Sequence, residues 1–81
     1  MNTKAKLLAS ILANPKQVRF SEACKAAELL GFVHSGGSGS HRAFVRADEP
    51  VGLNFQNRGG FLPPYQARQL GAMIEKYGDK S

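Results

Sequence analysis

The glycine-rich stretch GGSGS at residues 36–40 restricts the fold of this chain more than any other sequence feature. Glycine adopts positive φ angles at little cost, so the chain can reverse tightly here. Strand-forming runs lie on either side, from Phe32 to Ser35 and from Ser40 to Arg46. Two such runs joined by a glycine-rich turn predict a β-hairpin.

The segment VGLNFQN, residues 51–57, predicts a third strand because apolar and polar residues alternate along it. Val51, Leu53 and Phe55 are expected on the buried face, and the glycine and amide residues between them on the solvent face. Pro50 before the segment and RGG after it mark turns. The strand is therefore expected to extend the hairpin into a three-stranded antiparallel sheet.

Three helical patterns surround these strands. The first lies within residues 1–14, where leucine and isoleucine recur at helical spacing and Thr3 is a candidate N-cap. The second has Ser21 as its candidate N-cap and Gly31 as the residue that ends it in a left-handed conformation. The third begins at Pro63 and carries apolar residues on one stripe.

The resulting order, α-α-β-β-β-α, predicts an α+β fold with helices packed on one face of a three-stranded antiparallel sheet. A chain of 81 residues forms one domain. We expect this domain to span residues 1–81, with an N-terminal helix at 1–14 and a core at 18–78. The helices supply apolar surface for one face of the sheet, so functional residues are expected on the open, polar face.

Composition bears on partners and compartment. The chain carries 11 Lys and Arg residues against 6 Asp and Glu residues, a net charge of +5. Such an excess favours polyanionic partners, with nucleic acid first and an acidic protein second. The lone cysteine, Cys24, lies among alanines and predicts a buried thiol in a reducing compartment, the cytoplasm. No apolar run approaches the roughly 20 residues that span a bilayer, so no membrane segment is expected.

The residue pattern predicts neither a metal site nor a small-molecule cofactor. A two-metal nuclease needs several carboxylates that converge within a few ångströms, and most acidic residues here lie apart on predicted helices. Asp48 and Glu49 share one turn and are expected to be solvated. His34, His41 and Cys24 lack the spacing of zinc ligands. The sequence GSGSH lacks the Gly-Lys-Ser/Thr of a nucleotide triphosphate loop.

His41 is the candidate catalytic residue, because an imidazole can exchange a proton near neutral pH without a cofactor. RNA suits such a group, since its 2′-OH is an internal nucleophile and cleavage then needs only proton transfer and charge stabilisation. Arg42, Arg46 and Arg58 are candidates to bind phosphate through paired hydrogen bonds. His34 is the candidate for a second proton-transfer group, although its place in the first strand favours a surface or core role.

The strand geometry leaves open which arginines accompany His41. Side chains alternate along a strand, so Arg42 and Arg46 are expected on the face opposite His41. Gly39 and Ser40 leave backbone N–H groups uncovered, and a phosphate could approach them as in a backbone nest. The glycines are equally well explained as turn residues, and a lone histidine beside such a turn can be structural.

Four features occur together: VRFSEACKAAELLGF, then GSH with an aromatic residue three positions on, then LNFQ, then PPYQARQLGAMIEKY. Their order and spacing resemble the HicA family of type II toxin–antitoxin systems, from about Val18 to Gly78. The resemblance implies a double-stranded-RNA-binding-domain-like fold, cleavage of mRNA without a metal ion, and neutralisation by a HicB-type antitoxin. It also implies that His41, preceded by Gly39 and Ser40, corresponds to the family's catalytic histidine.

The chain departs from this family pattern in three places. Arg42 stands where many relatives have a second histidine or another basic residue, and Pro63 where a lysine often precedes PYQ. The loop at residues 34–39 has no arginine or lysine before the Gly-Ser-His sequence. These departures bear on RNA affinity and catalysis more than on the fold. Two alternatives therefore remain open: a non-catalytic RNA-binding module of the same fold, and a domain whose main role is to dock a partner protein.

Overall fold

The computed structural model describes residues 3–78 of the chain. A 3₁₀ turn, Pro15–Gln17, connects the first two helices. The predicted α+β fold and the order α-α-β-β-β-α are confirmed. The elements are α1 (Thr3–Ala13), α2 (Phe20–Leu29), β1 (Val33–Gly36), β2 (His41–Arg46), β3 (Glu49–Gln56) and α3 (Pro64–Tyr77).

The strands form one antiparallel sheet in the order β1-β2-β3, with β2 in the centre. Phe44 lies opposite Leu53, and both side chains are buried together with that of Phe55. This face of the sheet therefore packs against the helices. His41 lies opposite Gln56, and both occupy the other face because side chains alternate along a strand.

The hydrophobic core lies between the sheet and all three helices. Cys24 is among its members, so the predicted burial of the thiol is confirmed. Between residues 3 and 78, no helix is both long enough and apolar enough to cross a membrane. The core residues from the helices are Leu8 and Ile11 of α1, Phe20, Ala23, Cys24, Ala26 and Ala27 of α2, and Ala67, Leu70, Met73 and Ile74 of α3.

The predicted end of α2 is confirmed, but its predicted beginning is wrong. Gly31 follows the helix with a φ of +93°, the left-handed conformation that glycine adopts at helix C-termini. Ser21 is not the N-cap, because α2 begins at Phe20. The backbone N–H of Arg19 donates to Glu22 Oε1 at 3.4 Å, which is half of a capping box and sets the start at this point.

The start of the first helix also differs from the sequence expectation. Thr3, predicted as the N-cap of α1, is instead its first residue. The predicted helix at 1–14 starts outside the described residues. The predicted domain at 1–81 both starts and ends outside them.

The strands begin within two residues of their predicted positions, and one predicted burial pattern is wrong. Val51 was expected in the core but is 52% exposed, whereas Glu49, expected in solvent, is buried. The pairing of β2 with β3 is irregular between Phe44 and Arg46, so regular alternation does not extend to this end of β3.

Glu49 is buried because the end of α3 supplies partners for its carboxylate. Its side chain is 2% exposed, and Oε1 accepts hydrogen bonds from Lys76 Nζ at 2.7 Å and from Tyr77 Oη at 2.5 Å. Oε2 accepts a hydrogen bond from the N–H of Val51 at 3.1 Å. The hydrogen bonds from Lys76 and Tyr77 lower the pKa of Glu49 from its ordinary value of 4.5 to about 2. Glu49 therefore ties β3 to α3 as a charged carboxylate at neutral pH.

Candidate active site

The glycine-rich turn brings the backbone of β1 close to the start of β2. Gly37 has a φ of +82°, and a Cβ at this position would collide with the carbonyl oxygen of His41. The N–H of His41 donates to the carbonyl oxygen of Ser38 at 3.2 Å. Gly37 is thus required by a close approach as well as by its φ angle, and the turn fixes the backbone of His41 at the beginning of β2.

The imidazole of His41 is exposed and has a partner at each ring nitrogen. Nε2 lies 2.9 Å from Gln56 Nε2, and Nδ1 lies 3.4 Å from Ser40 Oγ. Arg58 Nη2 donates to Gln56 Oε1 at 3.3 Å, which directs the amide nitrogen of Gln56 toward His41. Because an amide nitrogen donates only, Nε2 of His41 is the acceptor of this hydrogen bond.

The amide of Gln66 links this end of the sheet to the first turn of α3. Gln66 is buried, and its Oε1 accepts a hydrogen bond from the N–H of Gln56 at 2.8 Å. Its Nε2 donates to Tyr65 Oη at 3.2 Å. Neither glutamine was predicted as a site residue. The sequence did contain a signal for them, because Gln56 and Gln66 end the motifs LNFQ and PPYQ, which contribute to the family resemblance.

A depression of about 410 Å³ lies beside His41, where the ends of β2 and β3 meet the start of α3. We refer to it as the His41 pocket. Its floor includes buried Phe55 and Gln66, and its rim includes exposed Tyr65. The lining residues are Gly37, His41, Arg42, Ala43, Asn54, Phe55, Gln56, Tyr65 and Gln66.

Arg42 lines this pocket from the edge but extends toward the helices. Its Cζ lies 5.8 Å from the ring centroid of Phe20, on the buried face of the sheet. Burial raises the pKa of the Cys24 thiol, and the nearby charge of Arg42 partly opposes this effect. Arg42 thus lies on the opposite face of β2 from His41, as the alternation of side chains predicts.

Arg46 lies at the far end of β2 and is held by three partners. Its Nε donates to the carbonyl oxygen of Leu30 at 2.9 Å, and its Cζ lies 3.9 Å from the ring centroid of Tyr77. It also forms an ion pair with Asp48, and this hydrogen bond lowers the pKa of the Asp48 carboxyl. The structure therefore does not bring Arg46 together with His41.

The other predicted site residues lie at three positions. Gly39 and Ser40 are exposed in the turn that precedes His41, and Arg58 is exposed beyond the end of β3. His34 lies opposite Phe44, with its ring centroid 5.6 Å from that of Phe44. Its side chain is thus on the helix face of the sheet, so the two imidazoles lie on opposite faces.

The site consists of side chains that exchange protons and donate hydrogen bonds. Within residues 3–78, no three or more His, Cys, Asp or Glu side chains lie together in a way that could hold a metal ion. The arrangement can transfer a proton at His41 and bind an anion at Arg58.

No family model, curated protein or solved structure matches the chain. The resemblance to the HicA family therefore rests on the sequence motifs alone.

Proposed function

We propose that this chain is an endoribonuclease that cleaves mRNA without a metal ion, with His41 as its acid–base group. The observation that carries the proposal is the exposed imidazole of His41, held by Gln56 and joined through that amide to Arg58. A proton-transfer group and a phosphate-binding cation thus lie on one connected set of hydrogen bonds. The net charge of +5 supports a polyanionic substrate.

In the proposed reaction the 2′ oxygen of a ribose attacks the adjacent phosphorus. The bond between phosphorus and the 5′ oxygen breaks, leaving a 2′,3′-cyclic phosphate and a 5′-hydroxyl. His41 either accepts the proton of the 2′-OH or donates a proton to the leaving 5′ oxygen, and solvent water makes the other proton transfer. Arg58 binds the phosphate and offsets the charge that develops on its oxygens.

The resemblance to the HicA family extends this proposal to the biological role. On that basis the chain is the toxin of a toxin–antitoxin pair, acts in the cytoplasm and is neutralised by a HicB-type antitoxin. Supporting observations are the α-α-β-β-β-α order and the position of His41 directly after the Gly-Ser turn.

One observation favours a second candidate, a non-catalytic RNA-binding module of the same fold. The amide of Gln56 occupies Nε2 of His41, so this nitrogen is free for proton transfer only if Gln56 turns away. A module that only binds RNA needs no such movement.

The two candidates are separated by the products formed from single-stranded RNA in excess EDTA. The proposal predicts fragments that end in a 2′,3′-cyclic phosphate, and no cleavage of the same sequence with 2′-O-methyl riboses, because the nucleophile is then blocked. Mass spectrometry of the fragments identifies the end group. Binding without cleavage would support the module, and equal cleavage of the 2′-O-methyl strand would contradict attack by the 2′-OH.

A further inference from the structure

Phe61 is an exposed aromatic residue on a hydrogen-bonded turn. Its side chain is 40% exposed. The N–H of Arg58 donates to the carbonyl oxygen of Phe61 at 2.8 Å, and the N–H of Phe61 donates to that of Arg58 at 3.1 Å. The next residue, Leu62, donates its N–H to the carbonyl oxygen of Val18 at 2.8 Å. These hydrogen bonds hold the backbone of Phe61 in place, with its side chain at the surface.

Three cationic side chains lie near this ring. Arg19 Cζ lies 5.6 Å from the ring centroid of Phe61. Phe61 also lines a surface groove of about 410 Å³ together with Arg58, Lys16 and Pro63. We name the set Lys16, Arg19, Arg58 and Phe61 the Phe61 patch.

This combination fits single-stranded nucleic acid better than other polyanions. Proteins that bind unpaired strands place bases on aromatic side chains and track the phosphates with cations. An acidic protein segment would use the cations, but it would have no need of an exposed phenyl ring. The phenyl ring offers a base a flat apolar surface, and Arg19, which lies over the same ring, adds a cation.

The patch is also connected to the His41 pocket. Arg58 links the two, since it lines the groove and donates a hydrogen bond to Gln56, which lines the pocket. A strand whose phosphate lies at His41 could therefore extend past Arg58 onto Phe61 without leaving the protein surface.

We propose that Phe61 is a stacking site for an unpaired base of single-stranded RNA, that Arg19 flanks this base, and that Arg58 and Lys16 bind the adjoining phosphates. The inference rests on the proposed RNA substrate. It adds to that proposal a second subsite, which selects for unpaired strands because a base inside a duplex cannot reach the ring.

The test is the affinity of the full chain for a 2′-O-methyl RNA strand of about ten nucleotides, a length within the range that one small domain covers. F61L keeps an apolar side chain but removes the aromatic face, and is expected to raise Kd roughly 5-fold or more. F61W keeps an aromatic face and is expected to bind about as tightly as the parent. It also introduces the only tryptophan of the chain, whose fluorescence should be quenched on binding RNA.

Two controls separate stacking from charge and from damage to the fold. V33A truncates another exposed apolar residue, on the opposite edge strand of the sheet, and should leave Kd unchanged. Inorganic polyphosphate has no bases, so F61L should bind it as the parent does, whereas R58Q should bind both RNA and polyphosphate more weakly. If F61L fails to fold, the fluorescence of F61W decides the question.

The proposal is overturned if F61L binds the RNA as tightly as the parent, if it loses polyphosphate affinity to the same extent, or if F61W shows no quenching. These results are distinct from failure of the proposed nuclease activity. If the parent cleaves nothing in EDTA but F61L binds RNA more weakly, the stacking site is supported and only the catalytic proposal is wrong. If the parent cleaves RNA but F61L binds RNA as tightly as the parent, the catalytic proposal is supported and the stacking site is wrong.

Discussion

The imidazole of His41 depends on two neighbours for its orientation, Ser40 at Nδ1 and Gln56 at Nε2. Gln56 is held in turn by Arg58 through its side chain and by Gln66 through its backbone N–H. In the proposed reaction Gln56 is thus a positioning residue.

Q56E replaces this neutral partner with a carboxylate next to the ring. A negative charge at hydrogen-bond distance favours imidazolium over imidazole, so the pH–rate profile of RNA cleavage should move to higher pH by about one unit or more. The direction of this shift is the same whether His41 acts as base or as acid, since both roles depend on protonation of the same ring. Q69E makes the same charge change at an exposed position on α3 and should leave the profile in place. An unshifted profile in Q56E would show that His41 does not control the rate.

At the scale of elements, the junction between α2 and β1 connects a helix to the sheet. Gly31 turns the chain with a φ of +93°, and Arg46 reaches back across this junction to the carbonyl oxygen of Leu30. The two residues are close, because a Cβ on Gly31 would lie 3.0 Å from Arg46 Nε. The turn and the arginine that covers it therefore act together.

G31V should destabilise the fold, because a β-branched residue is strained at this φ angle and would also displace Arg46. A left-handed conformation costs a residue with a side chain about 1 kcal/mol or more, which lowers the melting temperature of a domain of this size by about 4 °C or more. G36V is the matched control, since a Cβ on Gly36 would meet nothing within 4 Å. Equal melting temperatures for the two variants would show that Gly31 is not required for the turn.

The contact between β3 and α3 through Glu49 predicts how stability depends on pH. The pKa of Glu49 is about 2 in the folded chain against its ordinary value of 4.5, so the ionised carboxylate stabilises the fold above pH 4.5. This contribution is lost as the pH falls from 4.5 toward 2. Melting curves should show E49Q below the parent at neutral pH, with the difference shrinking as the pH approaches 2. A difference that is independent of pH would contradict this role.

At the scale of the whole molecule, the sequence was sufficient to predict the order of elements and, except at Glu49 and Val51, the two faces of the sheet. Periodic apolar residues and the glycine at position 31 carry that information locally. The burial of Glu49 could not be predicted, because its partners Lys76 and Tyr77 are far along the chain and act only once α3 is in place.

The same reason limits what the sequence says about the site. His41 and its exposed position follow from the turn that precedes it, and the alternation along β2 correctly placed Arg42 on the opposite face. Which arginine accompanies His41 depends on the pairing of β2 with β3, which brings Gln56 and then Arg58 next to the ring. Arg46 was a candidate for phosphate binding because of its charge alone. In the fold it lies at the far end of β2, where it donates a hydrogen bond to the carbonyl oxygen of Leu30.

The proposed reaction depends most on His41, and the most direct measurement is the rate of RNA cleavage in excess EDTA by H41A, H34A and the parent. His41 is exposed, so H41A should change stability by no more than about 0.5 kcal/mol and should still bind RNA through its arginines. The cleavage rate of H41A should fall by roughly 100-fold or more, the usual contribution of one acid–base group. H34A, which lacks an imidazole on the opposite face, should cleave like the parent. A folded H41A that cleaves RNA at the parental rate would contradict the central claim.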